Sequence, residues 1–248
     1  SGLDEAEAAG REYGVEIIRG CELGVQEQYG EIHLLGLWLP RHSAPLDAEL
    51  ARLRGHREER NLKILDRLRS IGINIGYQEV LDEAGGESVG RPHIARVLQK
   101  RGIVSNFAQA FELYLGYYGA AYVPRTLLTP EEGVSLMADL GAVVSFAHPM
   151  LIRCPPSWFD EIIPRLKEAG LGAIEAYHSE HSARDERFCV ELAARYGLGL
   201  SGGSDYHGMA KPGVELGRGK GGLRVTVALL DALKARRKRP VDDAPEVL

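Results

Sequence analysis

Ala142-Val-Val-Ser-Phe-Ala147 is a largely apolar run of strand length. Two further runs of this kind follow it, Gly172-Ala-Ile-Glu-Ala176 and Leu198-Gly-Leu-Ser201. Stretches with helical periodicity, 158–169 and 183–196, separate the three runs. Strands that alternate with helices through short links are typical of βα units and a parallel sheet or barrel. We therefore predict an α/β fold for this part of the chain.

The N-terminal region adds extended structure, and a helical region follows it. Val15–Ile18 is predicted as a short strand, and the runs 21–26 and 31–37 are predicted to form a hairpin around Gly30. Residues between 46 and 119 have helical periodicity throughout, and Arg60 and Asn61 are expected on a solvated helix face. We predict a barrel formed by 1–45 and 120–248, with an inserted helical subdomain at 46–119.

Composition limits the classes of partner and the compartment. The chain has 248 residues, 44% of them apolar and 26% charged, and no apolar run reaches the length of about 18 residues that spans a bilayer. The three cysteines are widely spaced and form no CxxC pair, which favours a reducing, cytoplasmic location. The net charge of −5 argues against duplex DNA as a partner, and no membrane partner is expected.

Candidate metal ligands lie after the predicted strands and on the hairpin. Functional residues of βα barrels gather at the carboxyl ends of the strands, and these positions hold carboxylates and histidines. The predicted metal ligands are Glu22, His33, His148, Asp205 and His207.

This ligand set indicates a class of chemistry. Histidine and carboxylate ligands without thiolates suit Zn, Mn or Fe. Adjacent metal ions acidify a shared water and neutralise phosphoryl charge, which is the chemistry of phosphoester hydrolysis. No Ser-His-Asp constellation or P-loop is apparent in the sequence. We therefore predict Glu22, His148, Asp205 and His207 as catalytic residues.

Ordinary structural roles remain open for the same residues. Glu22 could be an exposed carboxylate, and His148 could be packed in the core. His33 could be a half-buried strand residue, and Asp205 could form an Asx turn. Three further residues are candidates for orienting the ligands or lining the rim: Glu175, His178 and Glu215.

Six motifs occur in a fixed order along the chain. They are Gly20-Cys-Glu22, Glu31-Ile-His33-Leu-Leu-Gly36, Gly90-Arg-Pro-His93-Ile-Ala-Arg96, Ala121-Tyr-Val-Pro-Arg125, Ala147-His148-Pro149 and Ser201-Gly-Gly-Ser-Asp205-Tyr-His207. Together they resemble the PHP (polymerase and histidinol phosphatase) family over nearly the whole chain. The branch with the greatest resemblance is that of the nucleoside 3′,5′-bisphosphate phosphatases and 5′-3′ exoribonucleases.

The resemblance implies a fold, a substrate class and a metal cluster. The fold would be a distorted seven-stranded (β/α)7 barrel with a helical insertion. The substrate would be a nucleoside 3′,5′-bisphosphate or short single-stranded RNA. Two or three divalent metals are expected, Mn first and Zn, Fe or Mg as alternatives. Glu22 would bridge two of them, with His33 and His148 serving one metal and Asp205 and His207 the others.

Substrate contacts are expected from cationic residues and one histidine. By the resemblance, Arg91 and His93 would reach the substrate phosphate, although they could instead cap their helix and pair with acids. Arg125 and Lys211 are further candidate anion contacts. Histidinol phosphate is a less favoured substrate, and nothing in the sequence supports carbon–nitrogen bond hydrolysis.

The chain departs from the family at its start. The family's His-x-His and Thr-Asp-His-Asp motifs do not occur in this sequence. We therefore expect a barrel without its first strands, and a metal cluster that this sequence alone does not complete. The alternative function is a metal- or nucleotide-binding remnant without turnover.

Overall fold

The computed structural model describes residues 2–86, 88–208 and 211–237. Two compact units divide the chain: the first is Ser1–Leu46 with Leu128–Leu248, and the second is Asp47–Leu127. The domain boundaries inferred from the sequence, 46 and 119, stay a prediction. No helix in the described ranges is long and apolar enough to cross a membrane.

The first unit is built on a five-stranded sheet. Its strands are β1 (Gly20–Glu27), β2 (Gly30–Leu37), β3 (Val143–Phe146), β4 (Leu171–His178) and β5 (Gly199–Gly203). They pair in the order of the sequence, antiparallel from β1 to β3 and parallel from β3 to β5. The α/β class is thereby confirmed. The described strands form an open sheet with β1 and β5 at its edges, so the seven-stranded barrel stays a prediction.

Nine α-helices lie in the described ranges: α1 (Gly2–Tyr13), α2 (Ala44–Ser70), α3 (Tyr77–Ala84), α4 (Arg91–Lys100), α5 (Phe107–Ala110), α6 (Pro130–Ala138), α7 (Trp158–Ala169), α8 (Ala183–Tyr196) and α9 (Val227–Lys234). A π-helix at Phe111–Leu115 continues α5, and a 3₁₀ turn at Pro149–Leu151 follows β3. The alternation of β3, α7, β4, α8 and β5 is the βα pattern predicted from the sequence.

The hairpin of β1 and β2 has one face in the core and an opposite face that carries two of the predicted metal ligands. Leu23, Val25, Ile32 and Leu34 are buried on the core face. Gly133 of α6 packs against them so closely that a Cβ atom there would lie 2.7 Å from Val25 Cγ1. Because neighbouring strand residues point to opposite faces, the alternate residues of the hairpin, Glu22 and His33 among them, point away from α6.

The predicted strand at Val15–Ile18 is wrong. Residues 15–19 have no regular structure, and β1 begins at Gly20 instead. The amide of Val15 donates to Gly10 O at the end of α1, and the side chains of Val15 and Ile17 are exposed. An apolar run of strand length forms a strand only where a neighbouring strand can pair with it. Glu22 therefore lies within a strand rather than after one.

The second unit is helical and has its own core. Ile64, Leu68, Val80, Ile94 and Leu98 are among the buried residues that join α2, α3 and α4. The solvated-face prediction for two residues of α2 is wrong. Arg60 is buried and donates from Nε to Val123 O at 2.7 Å, and buried Asn61 donates to Val89 O at 3.1 Å. Both side chains hold backbone carbonyls that would otherwise be buried without a partner.

Candidate metal centre

Glu22 and His33 come from the same face of the hairpin. Glu22 is opposite Leu35 in the register of β1 and β2, and His33 is opposite Gly24, so the two residues are diagonal neighbours. His33 Nδ1 lies 2.6 Å from Glu22 Oε1. Glu31, two residues before His33 on the same face, places its Oε1 3.6 Å from His33 Nε2. The hairpin register alone thus gathers two carboxylates around one imidazole.

His148 reaches the same carboxylate from the end of β3. Ala147 extends the β2–β3 pairing by donating to His33 O at 3.0 Å. The backbone of His148 then turns to φ 29° and ψ 53°, a conformation that residues other than glycine rarely adopt. A buried carboxylate holds this turn, because the amide of His148 donates to Glu175 Oε2 at 2.8 Å. The turn leaves His148 Nε2 3.2 Å from Glu22 Oε1.

Asp205 and His207 follow β5. Asp205 also has a positive φ, 52°. His207 Nδ1 lies 3.2 Å from Asp205 Oδ1 and 3.0 Å from the Asp205 carbonyl oxygen. Lys211 Nζ lies 2.5 Å from Asp205 Oδ2 and 3.1 Å from Glu180 Oε1. In this arrangement Lys211, a predicted substrate contact, pairs with a predicted metal ligand.

The predicted ligands form two groups that share Glu22. One group is Glu22, His33 and His148, and the other is Glu22, Asp205 and His207. Within each group, one ligand atom from every residue lies within 4.8 Å of the others. These nitrogen and oxygen donors fit divalent first-row metals, and a carboxylate common to two groups fits a bridge between two ions. Such a pair of ions would acidify a water and neutralise phosphoryl charge.

The charges of the first group are coupled. The hydrogen bond from His148, and then that from His33, hold the pKa of Glu22 far below its usual range. The hydrogen bonds to Glu22 and then Glu31 raise the pKa of His33 to about 9. A cation that binds here must therefore displace a proton from His33, since a ligating imidazole is neutral.

Two buried groups lie behind the predicted ligands. Burial raises the pKa of Glu175 to about 7. Burial also lowers the pKa of His178 to about 4, with further lowering by His181 and His148. His178 Nδ1 accepts from the amide of Glu180 at 3.1 Å, so the proton of the neutral ring is on Nε2.

His178 Nε2 points to the second ligand group. It lies 3.4 Å from Asp205 Oδ2, although it is not aligned for a hydrogen bond and has no other partner among the described residues. The His178 side chain is enclosed, with none of its surface exposed. Glu215, by contrast, is exposed beside Arg218. Of the three predicted orienting residues, Glu175 and His178 contact predicted ligands.

The remaining predicted substrate contacts belong to the second unit. His93 Nδ1 accepts from the amide of Gly90 at 3.1 Å at the start of α4. Arg91 donates to Leu115 O at 3.0 Å, and its guanidinium lies 5.6 Å from the centre of the Phe111 ring. Arg125 is exposed. Phosphate binding by Arg91, His93 and Arg125 stays a prediction.

The site opens into a cleft of about 460 Å³. Glu22, His148, Asp205 and His207 line the cleft together with apolar residues such as Leu229. Glu31 was not predicted as a site residue, although its position two residues from His33 places it on the same strand face. The contact between Lys211 and Asp205 was not predicted either, because the intervening loop gives no sequence signal.

Two proteins of known activity are similar to this chain. A 5′-3′ exoribonuclease of Haemophilus influenzae is 31% identical over 207 residues, which cover 84% of this chain and 75% of the relative. A 3′,5′-nucleoside bisphosphate phosphatase of Chromobacterium violaceum is 28% identical over 242 residues, which cover 97% of this chain and 85% of the relative. No family model matches the chain.

Two solved structures are similar as well. One is assigned as a metal-dependent phosphoesterase of Bifidobacterium adolescentis, with a TM-score of 0.78, 27% identity and coverage of 96% of this chain and 82% of that one. The other is described as an amidohydrolase of Chromobacterium violaceum with bound sulfate and no metal. Its TM-score is 0.76 and its identity 27%, with coverage of 97% of this chain and 84% of that one.

Proposed function

Because this chain belongs to the PHP family and is a metal-dependent phosphoric ester hydrolase, we propose that it acts on the phosphate esters of nucleotides in one of two ways. It releases the 3′-phosphate of a nucleoside 3′,5′-bisphosphate, or it removes nucleotides from the 5′ end of short RNA. The names of two relatives support these alternatives, a 3′,5′-nucleoside bisphosphate phosphatase of Chromobacterium violaceum and a 5′-3′ exoribonuclease of Haemophilus influenzae.

The sharing of Glu22 between the two ligand groups is the observation that carries this proposal. Two divalent ions at such a site supply an acidified water and neutralise the charge of the phosphoryl group. Glu22, His33, His148, Asp205 and His207 hold these ions in the proposal. Glu175 orients one of these ligands in the proposal, because its carboxylate accepts the amide of His148 and fixes the backbone there. Manganese as the metal, the seven-stranded barrel and a cytoplasmic location are further parts of the proposal.

Recognition of the nucleotide is assigned to cationic residues. The first turn of α4 offers backbone amides together with Arg91 and His93, and helix N-termini favour phosphate groups. Arg125 is a further phosphate contact in the proposal. Lys211 has a second role open to it, because a cation at Asp205 would release its ammonium group for the substrate.

The test combines elemental analysis with two assays, phosphate release from a bisphosphate and nucleotide release from RNA. The protein is incubated with Mn²⁺ and assayed on adenosine 3′,5′-bisphosphate and on a short 5′-phosphorylated RNA. We expect bound metal and turnover in the unaltered protein, and loss of both in Glu22→Gln. Glu131→Gln is the matched control, because Glu131 has a similar exposure, 34% against 33%, and pairs with Arg165 instead. Metal and activity that persist in Glu22→Gln would refute the shared-carboxylate site.

Two other outcomes point to other functions. Bound nucleotide and metal without turnover would favour a metal- and nucleotide-binding function without catalysis. Hydrolysis of an amide without hydrolysis of either phosphate ester would favour the amidohydrolase activity by which the second structural neighbour is named. The same preparations serve for both measurements.

A further inference from the structure

Three tyrosines form a cluster in the second unit, two of them highly exposed and the third half-buried. Tyr117 and Tyr118 have 71% and 94% of their surface exposed. Their rings contact edge to face at 4.9 Å between centroids, and the Tyr117 ring lies 5.3 Å from that of Tyr122. We call Tyr117, Tyr118 and Tyr122 the tyrosine cluster. Exposed aromatic surface of this extent is unfavourable in water unless a ligand covers it, so the cluster marks an interaction surface.

The backbone beneath the cluster is held in place. The amide of Gly116 donates to Phe111 O at 2.7 Å, and that of Ala121 donates to Tyr114 O at 2.9 Å. A Cβ atom at Gly119 would lie 2.4 Å from the carbonyl carbon of Tyr114, so the turn closes tightly on the preceding helix. That helix is the π-helix, a rare conformation that is frequent at functional sites. The rings are thus presented on a backbone that needs no ordering when a ligand arrives.

Positive charge lies next to the backbone of the tyrosine cluster. Arg67 of α2 is exposed and donates from its guanidinium to Tyr122 O. Aromatic rings next to an arginine are the combination that binds single-stranded nucleic acid, with bases on the rings and phosphates on the cation. A protein partner is the other occupant that exposed tyrosines attract. The neighbouring arginine and the nucleotide chemistry of the metal centre favour the nucleic acid.

We propose that the tyrosine cluster stacks against the bases of single-stranded RNA, with Arg67 at the phosphodiester chain. The proposal rests on the proposed function for its ligand class and deepens it, because it makes a chain of nucleotides rather than one nucleotide the ligand. Stacking on tyrosine does not select a base, since every base offers a flat π face. Each stacked base is expected to contribute on the order of ten-fold to affinity.

The test compares two probes that differ only in their bases. Binding of a fluorescent oligoadenylate and of the abasic chain of equal length is measured by anisotropy, with chelator present so that no hydrolysis takes place. We expect the unaltered protein to bind the oligoadenylate at least about ten-fold more tightly than the abasic chain. Tyr117→Ala/Tyr118→Ala should remove this preference, and Tyr117→Phe/Tyr118→Phe should keep it.

Tyr13 provides the matched control. It is 74% exposed and lies in α1, so Tyr13→Ala should leave the preference for bases unchanged. A preference that survives in the double alanine variant would overturn the proposal. So would a dimer that dissociates in this variant while the affinity for oligoadenylate stays the same, because the cluster would then be a contact between copies. Base preference with neither phosphate release from the bisphosphate nor nucleotide release from RNA would refute the proposed function and leave the tyrosine cluster standing.

Discussion

Replacing Glu175 by alanine is expected to weaken the metal centre without touching any predicted ligand. Glu175 is buried, and its Oε2 accepts the amide of His148 at 2.8 Å. That amide belongs to a residue whose φ of 29° is unfavourable without support. In Glu175→Ala the amide loses its acceptor, and the turn that brings His148 Nε2 to Glu22 is no longer held.

The size of the effect follows from the lost hydrogen bond. The amide of His148 is partly buried, so the loss of its acceptor should lower the free energy of unfolding by about 1 kcal/mol, the lower end of the range for buried groups. Removal of a group that orients a metal ligand weakens metal binding by about 10–100-fold. Glu175→Gln keeps an oxygen that can accept from the same amide. It also removes a carboxylate whose pKa burial has raised to about 7, so its stability should stay near that of the unaltered protein.

Urea unfolding and calorimetric titration with Mn²⁺ test the two effects separately. The expected result is lower stability and weaker metal binding in Glu175→Ala, with recovery of most of both in Glu175→Gln. Unchanged metal affinity in Glu175→Ala would refute the reasoning, because it would show that the position of His148 does not depend on this carboxylate. Equal loss in both variants would show that the charge of Glu175, and not its hydrogen bond, matters.

Three further predictions concern packing and charge around the site. Gly133→Ala places a methyl group 2.7 Å from a side-chain carbon of β1, so it should lower the free energy of unfolding, measured in urea, by about 1–3 kcal/mol. Gly55→Ala is the control, because Gly55 lies in α2 with open space around it, and it should raise this free energy by about 0.5–1 kcal/mol. Equal effects of the two substitutions would refute the close packing of α6. His178→Leu removes the nitrogen that lies 3.4 Å from Asp205. It should weaken Mn²⁺ binding, measured by calorimetry, about ten-fold. Unchanged affinity would mean that His178 does not orient Asp205. Lys211→Met removes the ammonium group 2.5 Å from Asp205. It should tighten Mn²⁺ binding by about three-fold at low salt and raise the KM for the bisphosphate. Weaker metal binding would contradict the idea that this lysine competes with the metal for Asp205.

The parts of the fold that the sequence predicted are those in which local pattern is sufficient. The hairpin is recognisable from its alternating residues and the turn at Gly30, and α7 and α8 from their helical periodicity. Val15–Ile18 has the same local appearance as a strand, yet it has no strand partner among the described residues. Whether an apolar run pairs depends on residues distant in sequence, and periodicity carries no information about them.

The candidate site, like the fold, was predictable where strand pattern alone places the residues. Strand register makes Glu22 and His33 neighbours, and the ends of β3 and β5 bring the other ligands to the same place. The burial of Arg60 and Asn61 was not predictable, because charged and amide side chains are usually solvated and only tertiary structure provides their carbonyl partners. The pairing of Lys211 with Asp205 likewise depends on the path of a loop.

The hairpin has a consequence for the order in which the metal centre is assembled. Glu22 and His33 are joined by a turn of a few residues, and hairpins of this kind form in about 1–10 μs. Asp205 follows His33 by 172 residues in the chain, which a ribosome needs roughly 9–34 s to synthesise. An isolated hairpin is only marginally stable in water, so during that interval Glu22 and His33 meet only transiently and offer a cation no more than a weak chelate. Later closure around His148, Asp205 and His207 would then decide which ion is kept.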